Sequence, residues 1–203
     1  MVIIKKLVVK GFKSFANRTE LVFGKGFNCI IGPNGSGKTN ISDAICFVLG
    51  KSSAHEMRAE KSANLIFNGG KKGSPAKEAE VTIEFDNSTG KFPIQEKEVR
   101  ITRAVKQNGT SVYRINDEVR TRQQIIELLN GGKIDPDGHN IVLQGDIVSL
   151  AEMKPIDRRI AIEEIAGISM YEEKKHKCLN ELEKVDAKIN EAEIILKERE
   201  VNL

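Results

Sequence analysis

Residues 32–39 read Gly-Pro-Asn-Gly-Ser-Gly-Lys-Thr and match the GxxxxGK[ST] pattern at every fixed position. The apolar residues Phe27 to Ile31 before them predict a short buried strand, and Asn40 to Leu49 after them predict a helix. In such a segment glycines let backbone N–H groups face a phosphate chain, and the helix start adds the positive end of its dipole. The segment predicts a nucleotide-binding loop. The alternative, a chance glycine-rich turn, does not account for the flanking strand and helix.

Two side chains of this loop have separate predicted tasks. Lys38 can reach the β- and γ-phosphates of ATP, and the Thr39 hydroxyl can bind Mg²⁺. ATP and Mg²⁺ are therefore the expected cofactors. The predicted nucleotide-binding residues of the loop are Gly32, Pro33, Asn34, Gly35, Ser36, Gly37, Lys38, Thr39 and Asn40.

The composition suits a globular protein that works inside the cell. Its 203 residues can bury one substantial core or two small ones, and 39% of them are hydrophobic. A net charge of +3 is too small to indicate nucleic-acid binding by itself. Cys29, Cys46 and Cys178 lack metal-ligand spacing and predict reduced thiols. No apolar run approaches the roughly 20 residues of a membrane span, so we predict a cytoplasmic protein without membrane contact.

Alternating apolar residues predict strands on both sides of the loop. The predicted strands are residues 1–10, 19–23, Glu78 to Phe85, Glu98 to Val105 and Ser111 to Ile115. Asn108-Gly109 predicts a tight hairpin between the last two. Residues 50–64 are polar and have no steady period, which predicts a loop over the site with about one helical turn.

Gly-Phe-Lys-Ser-Phe at 11–15, followed by the loop and its helix, resembles the N-terminal head segment of the SMC (structural maintenance of chromosomes) proteins, the coiled-coil ATPases of chromosome organisation. The resemblance implies an α/β P-loop NTPase lobe of ABC type with an antiparallel β flank. It implies that Lys13, with Ser14, lies by the nucleotide's phosphates, the alternative being an ordinary solvated lysine. It also implies that Arg58 approaches the nucleotide and couples it to DNA, although Ala59-Glu60 replaces the small residue and glycines that usually follow.

The strands after the loop carry basic residues that are predicted to face outward. A basic face of this kind could follow a DNA backbone. The alternative is a mixed solvated surface, because Glu96, Glu98, Asp117 and Glu118 stand among them. The candidate DNA contacts are Arg100, Arg103, Lys106, Arg114 and Arg120.

A second helix and a second site residue are predicted downstream. Thr121 to Gln124 reads as a capping box for a helix that ends near Asn130 and is terminated by Gly131-Gly132. His139 to Leu143 predicts a buried strand that leads into Gln144. The resemblance to cassette ATPases implies that Gln144 is the Q-loop glutamine, which binds Mg²⁺ and senses the γ-phosphate.

The end of the chain predicts the start of a coiled coil. Pro155 to Ala166 predicts a helix, and Ser169 with Glu172 predicts the cap of the next one. There, apolar residues recur in steps of four and three, as at the a and d positions of a coiled coil. The seam consists of Cys178, Leu182, Val185, Ile189, Ala192 and Leu196. We predict a head lobe at 1–167 and a coiled-coil arm at 168–203 whose partner helix lies elsewhere; a single amphipathic helix on the lobe is the alternative.

ATP hydrolysis in this class requires features that we do not find in the sequence. No apolar strand ends in Asp-Glu, and no signature loop follows Gln144. We therefore expect no catalytic residue here: the water-activating glutamate would belong to a C-terminal head lobe. The resemblance implies, as further partners, a second SMC head in an ATP-dependent dimer, a kleisin-type subunit and DNA, and hence a nucleoid-associated role in chromosome condensation and segregation.

Two other functions stay open at this point. A DNA double-strand-break repair ATPase, for example of the RecN type, has the same split head, although residues 11–15 and Asn40 favour the SMC group. From a different class, the chain could be a non-hydrolysing binding module that uses ATP only for structure. Adding a C-terminal lobe would distinguish an ATPase from such a module, because only a split ATPase would gain turnover.

Overall fold

The computed structural model describes residues 2–51, 57–70, 73–134, 141–142, 154–156, 158–159, 162 and 169–201. The chain divides into two compact units, Met1–Gly145 and Asp146–Leu203. The domain boundary predicted after residue 167 lies outside the described residues and stays a prediction.

In the described part of the first unit, six strands form one antiparallel sheet in the order β2-β1-β3-β4-β5-β6. The strands are β1 (Ile3–Lys10), β2 (Thr19–Val22), β3 (Glu78–Asp86), β4 (Glu98–Lys106), β5 (Ser111–Ile115) and β6 (Glu118–Arg120). All five strands predicted from alternation are confirmed, with ends that shift by one or two residues. The sheet is the predicted antiparallel flank.

Two hairpins extend the sheet from β4 to β6. Residues 107–110 link β4 to β5, where Lys106 N donates to Thr110 O (3.0 Å) and Gly109 takes a left-handed φ of 82°. Asn116 and Asp117 link β5 to β6 with φ of 45° and 71°, the pair of left-handed residues that a type I′ turn requires. The hairpin predicted at Asn108-Gly109 is confirmed, whereas the three-residue strand β6 was not predicted.

The described part of the first unit also contains two α-helices, α1 (Lys38–Val48) and α2 (Arg122–Gly131), and a 3₁₀ turn at Ser62–Leu65. α1 starts directly after the glycine-rich loop, as predicted. α2 has the predicted capping box: the Thr121 hydroxyl accepts from Gln124 N, and the Gln124 side chain accepts from Thr121 N. The 3₁₀ turn is the helical turn expected in the loop over the site.

Both helices pack on one face of the sheet and close the core there. α1 contacts β3 and β4, and α2 contacts β5. Leu7, Ile83 and Ile101 stand opposite one another across three neighbouring strands and are fully buried. Each such side chain contributes about 2 kcal/mol of transfer free energy, so this face fixes α1 against the sheet.

The strand predicted at Phe27–Ile31 is wrong for this structure. The segment pairs with no described strand, and Phe27 and Ile31 are 94% and 89% exposed. The Asn28 side chain makes local hydrogen bonds, since it accepts from Gly24 N (2.9 Å) and donates to Gly24 O (3.0 Å). A buried strand needs neighbours along its edges and over its faces, and the described residues supply none here.

The second unit contains α3 (Ser169–Val201), which confirms the predicted C-terminal helix. Every residue of the predicted a/d seam is exposed along it. Residues 155–156, 158–159 and 162 are helical, as the Pro155 to Ala166 pattern predicts. Of the strand predicted at His139 to Leu143 only residues 141–142 are described, and neither lies in a strand; Gln144 is outside the described residues. Within the described ranges no helix is long and apolar enough to cross a membrane.

Candidate nucleotide-binding site

The glycine-rich loop leads into α1 through a left-handed glycine. Gly37 is the N-cap of α1 with φ 93°, and Gly35 has φ 80°. A Cβ on Gly37 would lie 3.0 Å from Ser14 Oγ, so the left-handed backbone favours glycine there and any side chain would force Ser14 to shift. The loop therefore delivers the N-terminus of α1, the end of a helix at which backbone N–H groups point outward, beside Ser14.

Lys38 and the backbone around it are accessible. The Lys38 Nζ donates to the carbonyls of Gly32 (2.6 Å) and Pro33 (2.7 Å), which hold the ammonium over the loop. Residues 32–36 are exposed and Thr39 is half-exposed. A phosphate chain can therefore reach the loop, the ammonium and the hydroxyl from solvent.

The Gly-Phe-Lys-Ser-Phe segment is folded against the same helix. Phe12 is fully buried, and its ring centroid lies 5.2 Å from that of Phe47 on α1. Lys13 N donates to Leu65 O (2.7 Å). Beyond it, Asn40 Nδ2 donates to Ser14 Oγ (2.8 Å). Lys13, Ser14 and Asn40, which the sequence assigned to the nucleotide site, thus lie together at the start of α1.

A buried carboxylate joins Lys13 to Arg58. Asp43 on α1 is only 2% exposed. Its Oδ2 accepts from Lys13 Nζ at 2.5 Å and also from the Arg58 guanidinium. Sequence reasoning missed Asp43, although a signal was present: it falls on the apolar face of α1, between Ile41 and Ala44, where an acidic side chain requires a partner.

These residues border one cavity of about 890 Å³. Its lining includes Lys13, Ser14, Asn40 and Arg58. The 3₁₀ turn, the segment after it and the β4–β5 hairpin also contribute, through Asn64, Ile66, Phe67, Asn68, Ala76 and Gln107. A cavity lined by cations together with apolar and amide groups is suited to a charged, ring-bearing ligand.

The donor set of the loop fits a nucleotide triphosphate and its magnesium ion. Left-handed glycines, the start of a helix and an accessible lysine are the groups that bind phosphates. Within the described ranges, no group of three or more His, Cys, Asp or Glu side chains could hold a metal ion. The Thr39 hydroxyl at the start of α1 would supply one ligand of a magnesium ion, and phosphate oxygens would supply others, as is common in such sites.

The predicted basic face on the strands is not continuous. Arg100 lies near Asp117 (3.2 Å), Arg114 near Glu80 (3.9 Å), and Arg120 pairs with Glu118. Lys106 is exposed. These contacts match the alternative interpretation of a mixed charged surface.

Arg103 does not face outward, and its assignment to that face is corrected here. Positions 100 and 103 are three apart in β4, and because strand side chains alternate they point to opposite sides of the sheet. Arg103 is 5% exposed and donates to the carbonyls of Phe47 (2.9 Å) and Lys51 (2.8 Å). The rings of Phe47 and Tyr113 lie 4.2 and 4.9 Å from its guanidinium carbon.

Burial shifts the pKa values of Arg103 and Tyr113. Loss of solvation lowers the pKa of the Arg103 guanidinium and raises the pKa of the Tyr113 hydroxyl. Arg103 therefore serves as a structural clamp on the C-terminal end of α1. It cannot contact DNA from its position beneath the sheet.

Comparison with known proteins gives close relatives. The chromosome partition protein Smc of Pyrococcus furiosus is 48% identical over 196 residues, which are 96% of this chain and 17% of that protein. The chain thus spans less than a fifth of this relative's length.

Solved structures match the fold. A Smc head domain with an extended coiled coil, bound to the C-terminal domain of ScpA and derived from Pyrococcus furiosus, has a TM-score of 0.79 at 48% identity, covering 98% of this chain and 50% of that one. A second, from work on ATP-driven dimerization and DNA-stimulated activation of SMC ATPases, has a TM-score of 0.76 at 49% identity, covering 80% of this chain and 98% of that one. The predicted resemblance and fold class are confirmed.

The family assignment rests on nearly the whole chain. Residues 3–194 match the model of the RecF/RecN/SMC N-terminal domain, a range that contains the loop, the sheet, both helices of the first unit and most of α3. The chain therefore belongs to the RecF/RecN/SMC N-terminal domain family.

Proposed function

We propose that this chain is the ATP-binding N-terminal lobe of an SMC-type ATPase head. The protein would be cytoplasmic and associated with the nucleoid, and would act in chromosome condensation and segregation. The observation that carries the proposal is the accessible loop at the start of α1, with Lys13 and Arg58 beside it on the border of one cavity. Structural cations that served only to stabilise the fold would not need to face a solvent-accessible cavity next to a phosphate-binding loop.

Different residues of the chain would bind different parts of the nucleotide. Backbone N–H groups of residues 32–39 and Lys38 would hold the phosphates, and Thr39 would hold Mg²⁺ together with Gln144. The cavity wall around Phe67 and Gln107 would hold the ribose and base. When bound, Mg²⁺-ATP supplies the phosphoanhydride bond whose hydrolysis releases the engaged heads.

Hydrolysis would require a second lobe. The exposed Phe27–Ile31 segment directly precedes the loop, so strands that covered it would also stand next to the phosphates. We place these strands, the metal-binding acidic residue and the water-activating glutamate in a C-terminal head lobe. Engagement of two such heads around ATP would then change the relative orientation of their coiled coils, and this change would act on DNA.

Further partners follow from the relatives. The Pyrococcus furiosus head was solved with the C-terminal domain of ScpA, and we propose a corresponding kleisin-type subunit for this chain. DNA contact by Arg100, Lys106, Arg114 and Arg120 stays a proposal, in which the arginines would exchange their carboxylate partners for phosphates. Raising salt should then weaken binding steeply.

The test is a reconstitution. The purified 203-residue chain should bind ATP without turnover, and adding a C-terminal head lobe from the same reading frame should give ATPase activity and ATP-dependent dimers. Lys38→Ala should abolish both gains. Turnover by the chain alone that is lost in Lys38→Ala would overturn the split-head proposal. Unchanged behaviour on adding the lobe would instead support a binding module.

A further inference from the structure

We propose that Asp43 is a positioning residue that aims two cations, Lys13 and Arg58, at the phosphates of the nucleotide. The inference rests on the proposed function and adds to it a residue that touches no phosphate itself. It starts from the finding that a single carboxylate oxygen, Asp43 Oδ2, accepts hydrogen bonds from both cations.

The charges of this cluster do not balance. Asp43 is buried, the Lys13 side chain is 12% exposed, and the Arg58 side chain is 45% exposed. One carboxylate therefore anchors two cations from the protein side, and the exposed part of the excess positive charge borders the cavity. Charge-assisted hydrogen bonds at low exposure are stronger than those between neutral groups, so the carboxylate fixes where both cations point.

The backbone at both cations is strained. Lys13 has φ 46° and Arg58 has φ 54°, left-handed values that are uncommon for residues with long side chains. Residues in such conformations persist only where their surroundings hold them, and they cluster at functional sites. Met57 O, which also accepts from Lys13 Nζ, and Leu65 O, which accepts from Lys13 N, tie Lys13 to the segment that contains Arg58.

Two physical effects of Asp43 predict opposite results. If the carboxylate acted only as a negative charge near a polyanion, neutralising it would strengthen nucleotide binding. If it acts by position, neutralising it removes the charged acceptor of Lys13 and Arg58 and frees both cations to turn away, so binding weakens although the site becomes more positive. The sign of the change in affinity therefore separates the two effects.

The experiment measures the Kd of ATP for the 203-residue chain by calorimetry, with and without Asp43→Asn. We expect about a tenfold weaker Kd in Asp43→Asn, the loss of roughly one charge-assisted contact. Glu84→Gln is the matched control, because Glu84 is a nearly buried carboxylate near two cations, Lys6 at 3.9 Å and Arg100 at 3.8 Å, and does not line the cavity. Its Kd should equal that of the wild type.

A double-mutant cycle then tests the route of the effect. In a Lys13→Met, Arg58→Gln background, Asp43→Asn should have no further effect on Kd, because the residues it positions are gone. An equal or tighter Kd in Asp43→Asn alone, or an undiminished loss in that background, would overturn the inference. If Asp43→Asn does not fold, Asp43→Glu is the second variant, because it keeps the charge but displaces both cations by the length of one methylene. It should also weaken ATP binding, and an unchanged Kd would overturn the inference. Absence of Lys38-dependent ATP binding in the wild type would instead overturn the proposed function.

Discussion

Two buried charged residues fix the helix that carries the site. Asp43 binds the cations near the start of α1, and Arg103 donates to the carbonyls of Phe47 and Lys51 at its end. Each satisfies a group that would be costly to leave unpaired in the interior. The position of the loop relative to the sheet thus depends on charged side chains as well as on apolar packing.

Replacing Arg103 tests the clamp at the end of α1. Arg103→Met should lower the free energy of unfolding by about 3 kcal/mol, because two buried carbonyls lose a charged donor and two rings lose a cation. Urea denaturation gives the change. Arg100→Met, on the exposed face of the same strand, should cost under about 1 kcal/mol. Equal losses in the two variants would contradict the clamp.

Replacing Gly37 tests the close approach at the start of α1. Gly37→Ala should abolish detectable ATP binding, because the left-handed φ disfavours alanine and the new Cβ would press on Ser14 Oγ at 3.0 Å. Calorimetry measures the binding.

Gly90→Ala, in the link between β3 and β4, is the control for backbone strain alone. Gly90 has φ 63°, a Cβ there would meet nothing within 4 Å, and the residue does not line the cavity. This variant should lose about 1 kcal/mol of stability and keep the wild-type Kd. ATP binding by Gly37→Ala at wild-type affinity would show that the contact with Ser14 does not matter.

At the scale of elements, α2 offers a test that is separate from the site. Thr121→Ala removes the hydroxyl that accepts from Gln124 N and should lower the free energy of unfolding by about 1 kcal/mol. Gln123→Ala, two residues further along the chain at an exposed position, should change stability by less than about 0.5 kcal/mol. Thermal unfolding of the two variants measures the difference, and the Kd of ATP should stay the same in both.

Elements were predictable where local chemistry decides them. α1 begins where the Gly-Lys-Thr pattern places it, and α2 begins at a capping box whose two hydrogen bonds are both present. The strands from β3 to β5 alternate because one face meets α1 and α2 and the other meets solvent or ion pairs. In each case the signal lies within a few residues of the element it predicts.

The errors arose where distant contacts decide. Phe27–Ile31 is apolar enough for a buried strand, yet burial depends on neighbours that no local pattern reports. Arg103 was placed with Arg100 although their odd spacing puts them on opposite faces, and a buried arginine is unexpected without knowledge of the carbonyls below it. Asp43 was missed because its partners, Lys13 and Arg58, are 30 and 15 residues away along the chain.

At the scale of the whole molecule, the first unit combines a closed core with an open apolar surface. The helix-covered face of the sheet is buried, whereas Phe27 lines a groove of about 570 Å³ with Val2, Ile4 and Phe23. Groups of exposed large apolar side chains mark interaction sites in stable proteins. In the proposed function the C-terminal lobe covers this groove, and α3 presents its seam to a second helix of the same arm.

The groove gives the last prediction. Phe27→Asp should leave the thermal midpoint of the isolated chain unchanged, because the Phe27 side chain is almost fully exposed and adds nothing to the core. It should weaken association with the C-terminal lobe at least about tenfold, since a charge would then be buried in an apolar contact. Val119→Asp makes the same charge change at a residue of β6 that is 67% exposed. It should change neither the thermal midpoint nor the association with the C-terminal lobe. Sedimentation velocity of the mixed lobes measures association. Equal association of Phe27→Asp and wild type would place the second lobe elsewhere, and a lower midpoint for Phe27→Asp alone would mean that Phe27 supports the fold of the first unit.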